Sequence, residues 1–136
     1  MEESLVNGTI ISNREDGWLH LDGGSVRKTV FCDIDGVLFE QTNYISTNPR
    51  VLSEVLEKLW EWSGKDYTIV LVTGRKESTR SITESTLHEA GICYDYLLMG
   101  IGCGDRILIN DRSSTGRDKA FAINLDRNTG LKEVEI

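Results

Sequence analysis

The chain has 136 residues, with 15 Lys plus Arg against 22 Asp plus Glu and a formal net charge of −7. This length fits one domain able to bury a real core, so neither disulfides nor metal staples are needed for folding. With 39% apolar and 27% charged residues the composition argues against disorder, and the acidic balance argues against a broad nucleic-acid footprint or an anionic membrane surface.

The chain opens on Met1-Glu2-Glu3-Ser4, which is acidic and lacks the apolar stretch of a secretory signal. No later apolar run approaches the roughly 20 residues of a membrane span. Residues 8–12 and 18–21 flank the polar stretch 13–17, which contains Gly17, and this pattern predicts a β-hairpin. Gly23-Gly24 ends it, so residues 1–28 read as a hairpin extension ahead of a core of residues 29–136.

Residues 29–33 form a run with almost no polar face, the pattern of a strand buried on both sides. Asn48-Pro49 suits a helix start. Val51, Leu52, Val55, Leu56, Leu59 and Trp60 then recur at helical spacing up to Gly64. In this phase Trp60 faces the core and Trp62 faces outward. A second buried strand is predicted over 67–72. A second helix is predicted over 77–90, with Ile82, Leu87 and Ala90 apolar and Gly91 as its C-terminal cap. Strands follow at 94–99, 106–109 and 120–125, with a short helical turn within 113–118. Strands alternating with helices predict an α/β fold. The expected architecture is a Rossmann-like parallel sheet of about five strands with helices on both faces. Ligands of such sheets bind beyond the carboxyl ends of the strands.

Three strand ends carry polar residues of interest. The first ends in Asp33-Ile34-Asp35-Gly36-Val37, a carboxylate pair that costs stability unless a cation or proton compensates. It is not an EF-hand loop, because the fifth position, Val37, has no side-chain oxygen. The second ends in Thr73-Gly74-Arg75, where a hydroxyl, a glycine, a guanidinium and backbone amides at a helix start suit a phosphate. The fourth ends in Asn110-Asp111-Arg112. Each alone is compatible with an ordinary turn or cap.

In this order, at three strand ends, they resemble the haloacid dehalogenase (HAD) superfamily of phosphohydrolases, over roughly residues 29–125. The resemblance implies a two-step phosphoryl transfer. Asp33 would be the nucleophile, and Asp35 would protonate the leaving group and then activate water. Mg2+ would be held by Asp33, the backbone carbonyl of Asp35 and Asp111, an oxygen-only set suited to that ion. Thr73 would bond the transferring phosphoryl group, with Gly74 and Arg75 beside it. The lysine that usually precedes the fourth motif is missing, since no lysine lies between Lys76 and Asp111. Arg106, Lys119 and Arg112 are the alternatives. Arg106 meets a geometric objection, because it would start the strand that Asp111 ends. Thr115 stands where a second acid is common, with Asp118 or Asn110 as substitutes.

The intervals from Asp35 to Thr73 and from Thr73 to Asp111 leave no room for a cap domain. Residues 39–47 are the only local flap. The resemblance therefore implies a capless member with an open site, acting on a large substrate or closed by a second copy of the chain. Residues 94–100, with Ile109-Asn110-Asp111-Arg112, also resemble small phosphatases of capsule and surface-polysaccharide pathways. The expected partner is thus a small phosphorylated carbohydrate, not nucleic acid or membrane. The alternatives are a capless polynucleotide 3′-phosphatase, a phosphoprotein phosphatase and a non-catalytic HAD-like scaffold. A receiver domain is disfavoured, because its phosphorylated Asp ends the third strand, which here ends at Met99.

The remaining candidates have plainer readings. Cys32 is expected to pack away from Asp33. Three cysteines without CxxC spacing read as reduced thiols in a cytoplasmic protein. His20 and His88 lack a metal-ligand partner at useful spacing. Residues 100–104, rich in glycine, read as a loop near the site, not a nucleotide fingerprint.

Overall fold

The computed structural model describes residues 27–136. The hairpin expected over residues 8–21 lies outside the described residues. Three parallel strands, β1 (Thr29–Asp33), β2 (Thr68–Val72) and β3 (Tyr96–Leu98), stand in the order β1-β2-β3. Parallel neighbours need crossover connections. Here these are helix α1 (Val55–Gly64), and a 3-10 turn (Glu77–Thr79) leading into helix α2 (Arg80–Glu89). The register pairs Asp33 with Val72 and Val72 with Leu98, so the three strands end at one level.

Alternation along the strands divides the sheet into two unlike faces. Cys32, Ile69, Leu71 and Leu97 share a core with Leu59 and Trp62 of α1 and Leu87 of α2. The other face carries Phe31, Val70, Tyr96, Val72 and Leu98, of which Phe31, Tyr96 and Leu98 are exposed. Helices on both faces were the expectation; among the described residues both lie on one. Two crossovers stepping the same way, with the same hand, deliver their helices to the same side.

The first helix starts later than its apolar pattern suggests. Val51 and Leu52 do not begin it but pair with residues 38–40. The amides of Glu40 and Leu52 donate to the carbonyls of Arg50 (2.9 Å) and Leu38 (2.9 Å), and Phe39 bridges to Val51. Apolar content alone cannot tell these two uses apart. The later start changes the phase. Val55, Lys58, Leu59 and Trp62 face inward at i, i+3, i+4 and i+7. Trp62 is therefore 2% exposed and Trp60 57%, the reverse of the expected assignment.

The end of α2 follows the expectation. Gly91 takes φ +78°, its amide donates to His88, and the Ile92 amide donates to Leu87. This is a Schellman cap, closed by the buried pair Leu87 and Ile92.

Residues 106–109 and 120–125, expected as fourth and fifth strands, carry no strand pairing, and the sheet has three strands among the described residues, not five. Ile107 and Ile109 are 84% and 91% exposed. A short apolar run acquires strand structure only beside a neighbouring backbone, and among the described residues β1 bonds only to β2. The turn expected within 113–118 closes through Ser113 and Arg117, with Gly116 at φ +87°.

The C-terminal residues are tied back to α1. Lys58, nearly buried, donates from Nζ to the Val134 carbonyl (2.6 Å) and to Glu135 (2.8 Å), and Leu131 and Val134 enter the core. No described helix is long and apolar enough to cross a membrane.

Two glycines at positive φ separate strain from contact. A Cβ at Gly91 meets open space, so Gly91→Ala should cost only the left-handed penalty of about 1–2 kcal/mol. At Gly130 (φ +82°) a Cβ would run into the Ser53 backbone. Thermal unfolding should show Gly130→Ala losing clearly more stability than Gly91→Ala. Equal losses would contradict the packing described.

Candidate functional site

The carboxyl ends of β1 and β2 bring the acidic turn and the Thr73-Gly74-Arg75 loop side by side. Asp33, the last residue of β1, folds its Oδ1 back to accept the Ile34 amide at 3.0 Å. The next turn is held from below. The buried Ile34 carbonyl accepts amides from Val37, Leu38 and Phe39, and the Gly36 amide donates to Phe39. Gly36 has φ +87°, a conformation that glycine adopts without penalty.

Arg75 connects the two strand ends. Its Nε and Nη2 donate to Asp35 Oδ2 (2.9 Å) and Oδ1 (2.8 Å), and its Nη1 donates to the Thr83 hydroxyl of α2 (3.0 Å). The Arg75 side chain is 6% exposed, against 26% for Asp35. A guanidinium removed from water needs its donors satisfied; the bidentate fork takes two of the five and Thr83 a third. The Arg75 amide donates to Thr73 Oγ1 at 3.0 Å. The Thr73 amide reaches Leu98, and the Thr73 carbonyl accepts from Ile101. The loop is thus anchored to β3 and to the glycine-rich segment. A Cβ on Gly74 would lie 2.7 Å from the Gly102 carbonyl oxygen and 3.0 Å from Cys103 Sγ. Glycine is required there by this close approach.

Of the three basic alternatives, Arg106 is the one at the acidic turn. Its Nη1 lies 3.5 Å from Asp33 Oδ1. The objection to it presumed a strand over 106–109. Without that strand, its position is not bound to the far end from Asp111.

Asn110, Asp111, Arg112 and Lys119 are gathered elsewhere and satisfy one another. Together with Asp118 and Ala120 they line a shallow depression. Lys119 Nζ lies 2.9 Å from Asp111 Oδ1, Arg112 Nε donates to Asp118 at 2.8 Å, and Asn110 Nδ2 donates to the Asp111 carbonyl. Asp111 is 79% exposed. Lys119, through its hydrogen bond and then its charge, holds that carboxyl below the usual range. Lys119 and Arg112 therefore have acidic partners of their own, away from Asp33.

Among the described residues, no three His, Cys, Asp or Glu side chains are grouped to hold a metal. Asp33, Asp35 and Asp111, expected as one metal site, are not brought together. Both Asp35 oxygens face Arg75, and Asp111 faces Lys119. The Asp33 carboxylate and the Asp35 backbone carbonyl do share one turn. Two hard oxygens of this kind fit Mg2+, which keeps several waters and takes few protein donors.

Cys32 packs in the core, as expected. Burial first, and then the Asp33 charge, push its thiol up to about 12. The site residues that sequence reasoning missed are Thr83 and Asn128. Thr83 is a fully buried hydroxyl on α2. Asn128 donates its amide to the Gly36 carbonyl (2.8 Å) and accepts the Gln41 amide on Oδ1 (2.8 Å). The available signals were a polar residue on the inner face of α2 and the turn-forming run Asn128-Thr129-Gly130.

Residues 30–108, more than half of the chain, match the family model described as PITM 1-3, LNS2 domain. No curated protein matches the chain. Among solved structures, a chain of the Pnkp1/Rnl/Hen1 complex is 30% identical over 54% of this chain and 28% of its own, with a TM-score of 0.48. A protein from Vibrio cholerae is 24% identical over 63% of this chain and 81% of its own, with a TM-score of 0.48. The D,D-heptose 1.7-bisphosphate phosphatase from B. bronchiseptica, complexed with magnesium and phosphate, is 20% identical over 57% of this chain and 52% of its own, with a TM-score of 0.45. The chain thus spans little more than a quarter of the first of these.

Two predictions follow from the site's geometry. Replacing Arg75 with Gln leaves Asp35 without its charge partner and should cost about 2 kcal/mol in denaturant unfolding, moderated by the water that still reaches Asp35. A loss near zero would show that the fork is not a structural tie. With iodoacetamide near neutral pH, exposed Cys103 should be alkylated well before buried Cys32. Equal rates, read by peptide mass, would contradict the placement of Cys32.

Proposed function

The chain belongs to the LNS2-domain family, itself HAD-like, and on that footing we propose that it is a phosphatase of the HAD type. The carrying observation is the joined pair of strand ends, with Asp33 beside Arg106 and Asp35 beside Arg75. A nucleophilic carboxylate attacking a phosphate needs nearby cations to offset like-charge repulsion.

In this reading an Asp33 oxygen attacks phosphorus and forms an aspartyl-phosphate, while the substrate's ester oxygen departs with a proton from Asp35. A water then attacks phosphorus. Asp35 takes the water's proton, and inorganic phosphate leaves as the Asp33 carboxylate is restored. Both Asp35 oxygens are held by Arg75, so this acid–base work needs one oxygen to leave the guanidinium and take up a proton from solvent before it can protonate the leaving group. An arriving phosphate competes for the same fork, because guanidinium binds phosphate and carboxylate in the same planar, two-bond manner. The Thr73 hydroxyl and the Gly74 amide complete the phosphate's surroundings. Mg2+ would be held by the Asp33 carboxylate and the Asp35 carbonyl, where it supplies charge neutralisation and orientation.

The substrate class is a phosphorylated carbohydrate, as the resemblance of residues 94–100 and 109–112 implies, and the acidic net charge counts against polynucleotides. Between Asp35 and Thr73 the chain holds only a loop, α1 and β2, in keeping with a capless, open site. The outer edge of β1 takes no partner among the described residues, which leaves a second copy of the chain a place to close the site. Three unpaired cysteines suit a reducing, cytoplasmic setting.

A second reading, a non-catalytic HAD-like scaffold, is favoured by one observation: Asp35 and Asp111 are each neutralised by a basic side chain. Hydrolysis of p-nitrophenyl phosphate with and without Mg2+ separates the two. Metal-dependent turnover that falls about 10³-fold or more in Asp33→Asn supports the enzyme. No turnover in the folded wild type favours the scaffold. A panel of sugar phosphates, phosphopeptides and oligonucleotide 3′-phosphates then assigns the substrate class.

A further inference from the structure

The segment after residue 125 returns to the acidic turn, and no step of the proposed reaction uses it. Three contacts join them. The Asn128 amide donates to the Gly36 carbonyl at 2.8 Å. The Asn128 side-chain oxygen accepts the Gln41 amide at 2.8 Å. The Arg127 stem packs on Gly36, its Cγ 3.2 Å from where a Cβ would stand, with Gln41 beside it at 3.9 Å. One residue therefore bonds both the turn that carries Asp33 and Asp35 and the first exposed residue of the 39–47 loop.

Asn128 itself sits at φ +68°. Asn tolerates this conformation, whereas most side chains incur a cost of about 1–2 kcal/mol there. The conformation is held from two sides. Thr129 Oγ1 donates to the Asp126 carbonyl at 2.8 Å, closing the turn. Gly130, pressed against Ser53, and Leu131, whose amide donates to Ser53 at 2.9 Å, fasten the next residues ahead of α1. The base of α1 thus supports a short, rigid bracket that reaches the acidic turn.

We propose that Asn128 is a positioning residue that sets the 39–47 loop over the acidic turn and thereby governs substrate capture at Asp33. The loop contact stands on the structure. Its consequence for capture rests on the phosphatase reading. The side-chain bond is the replaceable half of the bracket, because the amide-to-Gly36 bond survives any substitution that keeps the backbone conformation. Loss of the side-chain bond frees the loop at Gln41 and leaves Asp33, Asp35 and Arg75 in place. KM should move and kcat should not.

The test compares Asn128→Gly, which accepts the positive φ but lacks the acceptor, with Asn128→Asp, which keeps an acceptor oxygen. It uses the full chain and p-nitrophenyl phosphate with Mg2+. Asn128→Gly should raise KM about two- to ten-fold, the range set by one net hydrogen bond. Its kcat should stay within about twofold, and Asn128→Asp should restore KM. In parallel, amide hydrogen exchange should show the Gln41 amide losing protection in Asn128→Gly and regaining it in Asn128→Asp. If wild-type protein is inactive, the phosphatase reading fails and exchange at Gln41 alone decides whether Asn128 positions the loop. Unchanged protection at Gln41 in Asn128→Gly overturns the proposal, as does an equal fall in kcat and kcat/KM, which marks a general structural role.

Discussion

The bidentate pair between Arg75 and Asp35 is the contact on which the arrangement of the strand ends depends. An arginine side chain that is 6% exposed cannot shed its charge, so its surroundings must bring acceptors to it. Asp35 supplies two from the turn after β1, and Thr83 supplies a third from α2. The pair thereby fixes three elements at once: the acidic turn, the loop after β2 and the start of α2. Lysine could not substitute, having a point charge in place of a planar fork. The same contact occupies Asp35, so the group that organises the site also withholds the carboxylate that the proposed chemistry needs.

A second set of ties works from the other end of the chain. Lys58 fastens Val134 and Glu135 to α1, Leu131 and Val134 fill the core, and the Gly130–Ser53 approach admits no larger residue. These contacts explain how an irregular segment can hold Asn128 firmly against Gly36. A backbone carbonyl at a turn is a poor anchor alone. It becomes a good one when its partner is tied to a helix that itself belongs to the core.

Much of this was legible where local chemistry decides the structure. The strand from Thr29 to Asp33, the apolar β2 and the Gly91 cap each carry their cause within a few residues, although β1 is not buried on both sides as expected, Phe31 being 56% exposed. The two loops were placed at strand ends by the same local reading, since Asp-x-Asp-Gly and Thr-Gly-Arg each follow an apolar run, although either motif alone is compatible with an ordinary turn or cap. The start of α1 was not. Val51 and Leu52 fit a helical stripe equally well as they fit a bridge to Leu38 and Phe39, and only the partner decides. That displacement carried Trp60 out of the core and Trp62 into it. Residues 106–109 failed for a related reason, since apolar content marks a need for burial and not the presence of a neighbour. The pairing of Arg75 with Asp35 was also beyond reach, because it joins residues 40 apart. Sequence placed both at the site without showing that each would be the other's partner.

The separation of Asp111 from Asp33 has an electrostatic logic. Each carboxylate lies beside a basic side chain, Asp33 with Arg106, Asp35 with Arg75 and Asp111 with Lys119. Three carboxylates converging without a cation would repel one another strongly in a partly desolvated site. With ammonium or guanidinium groups at hand, the lower-energy arrangement keeps each acid beside its own base. A divalent ion or a phosphate changes that balance from opposite directions. The ion competes with the basic groups for carboxylates, and the phosphate competes with the carboxylates for guanidinium. On the proposed reading, a divalent ion at Asp33 and a phosphate at Arg75 would each offset part of the charge that the other leaves when these two ion pairs open.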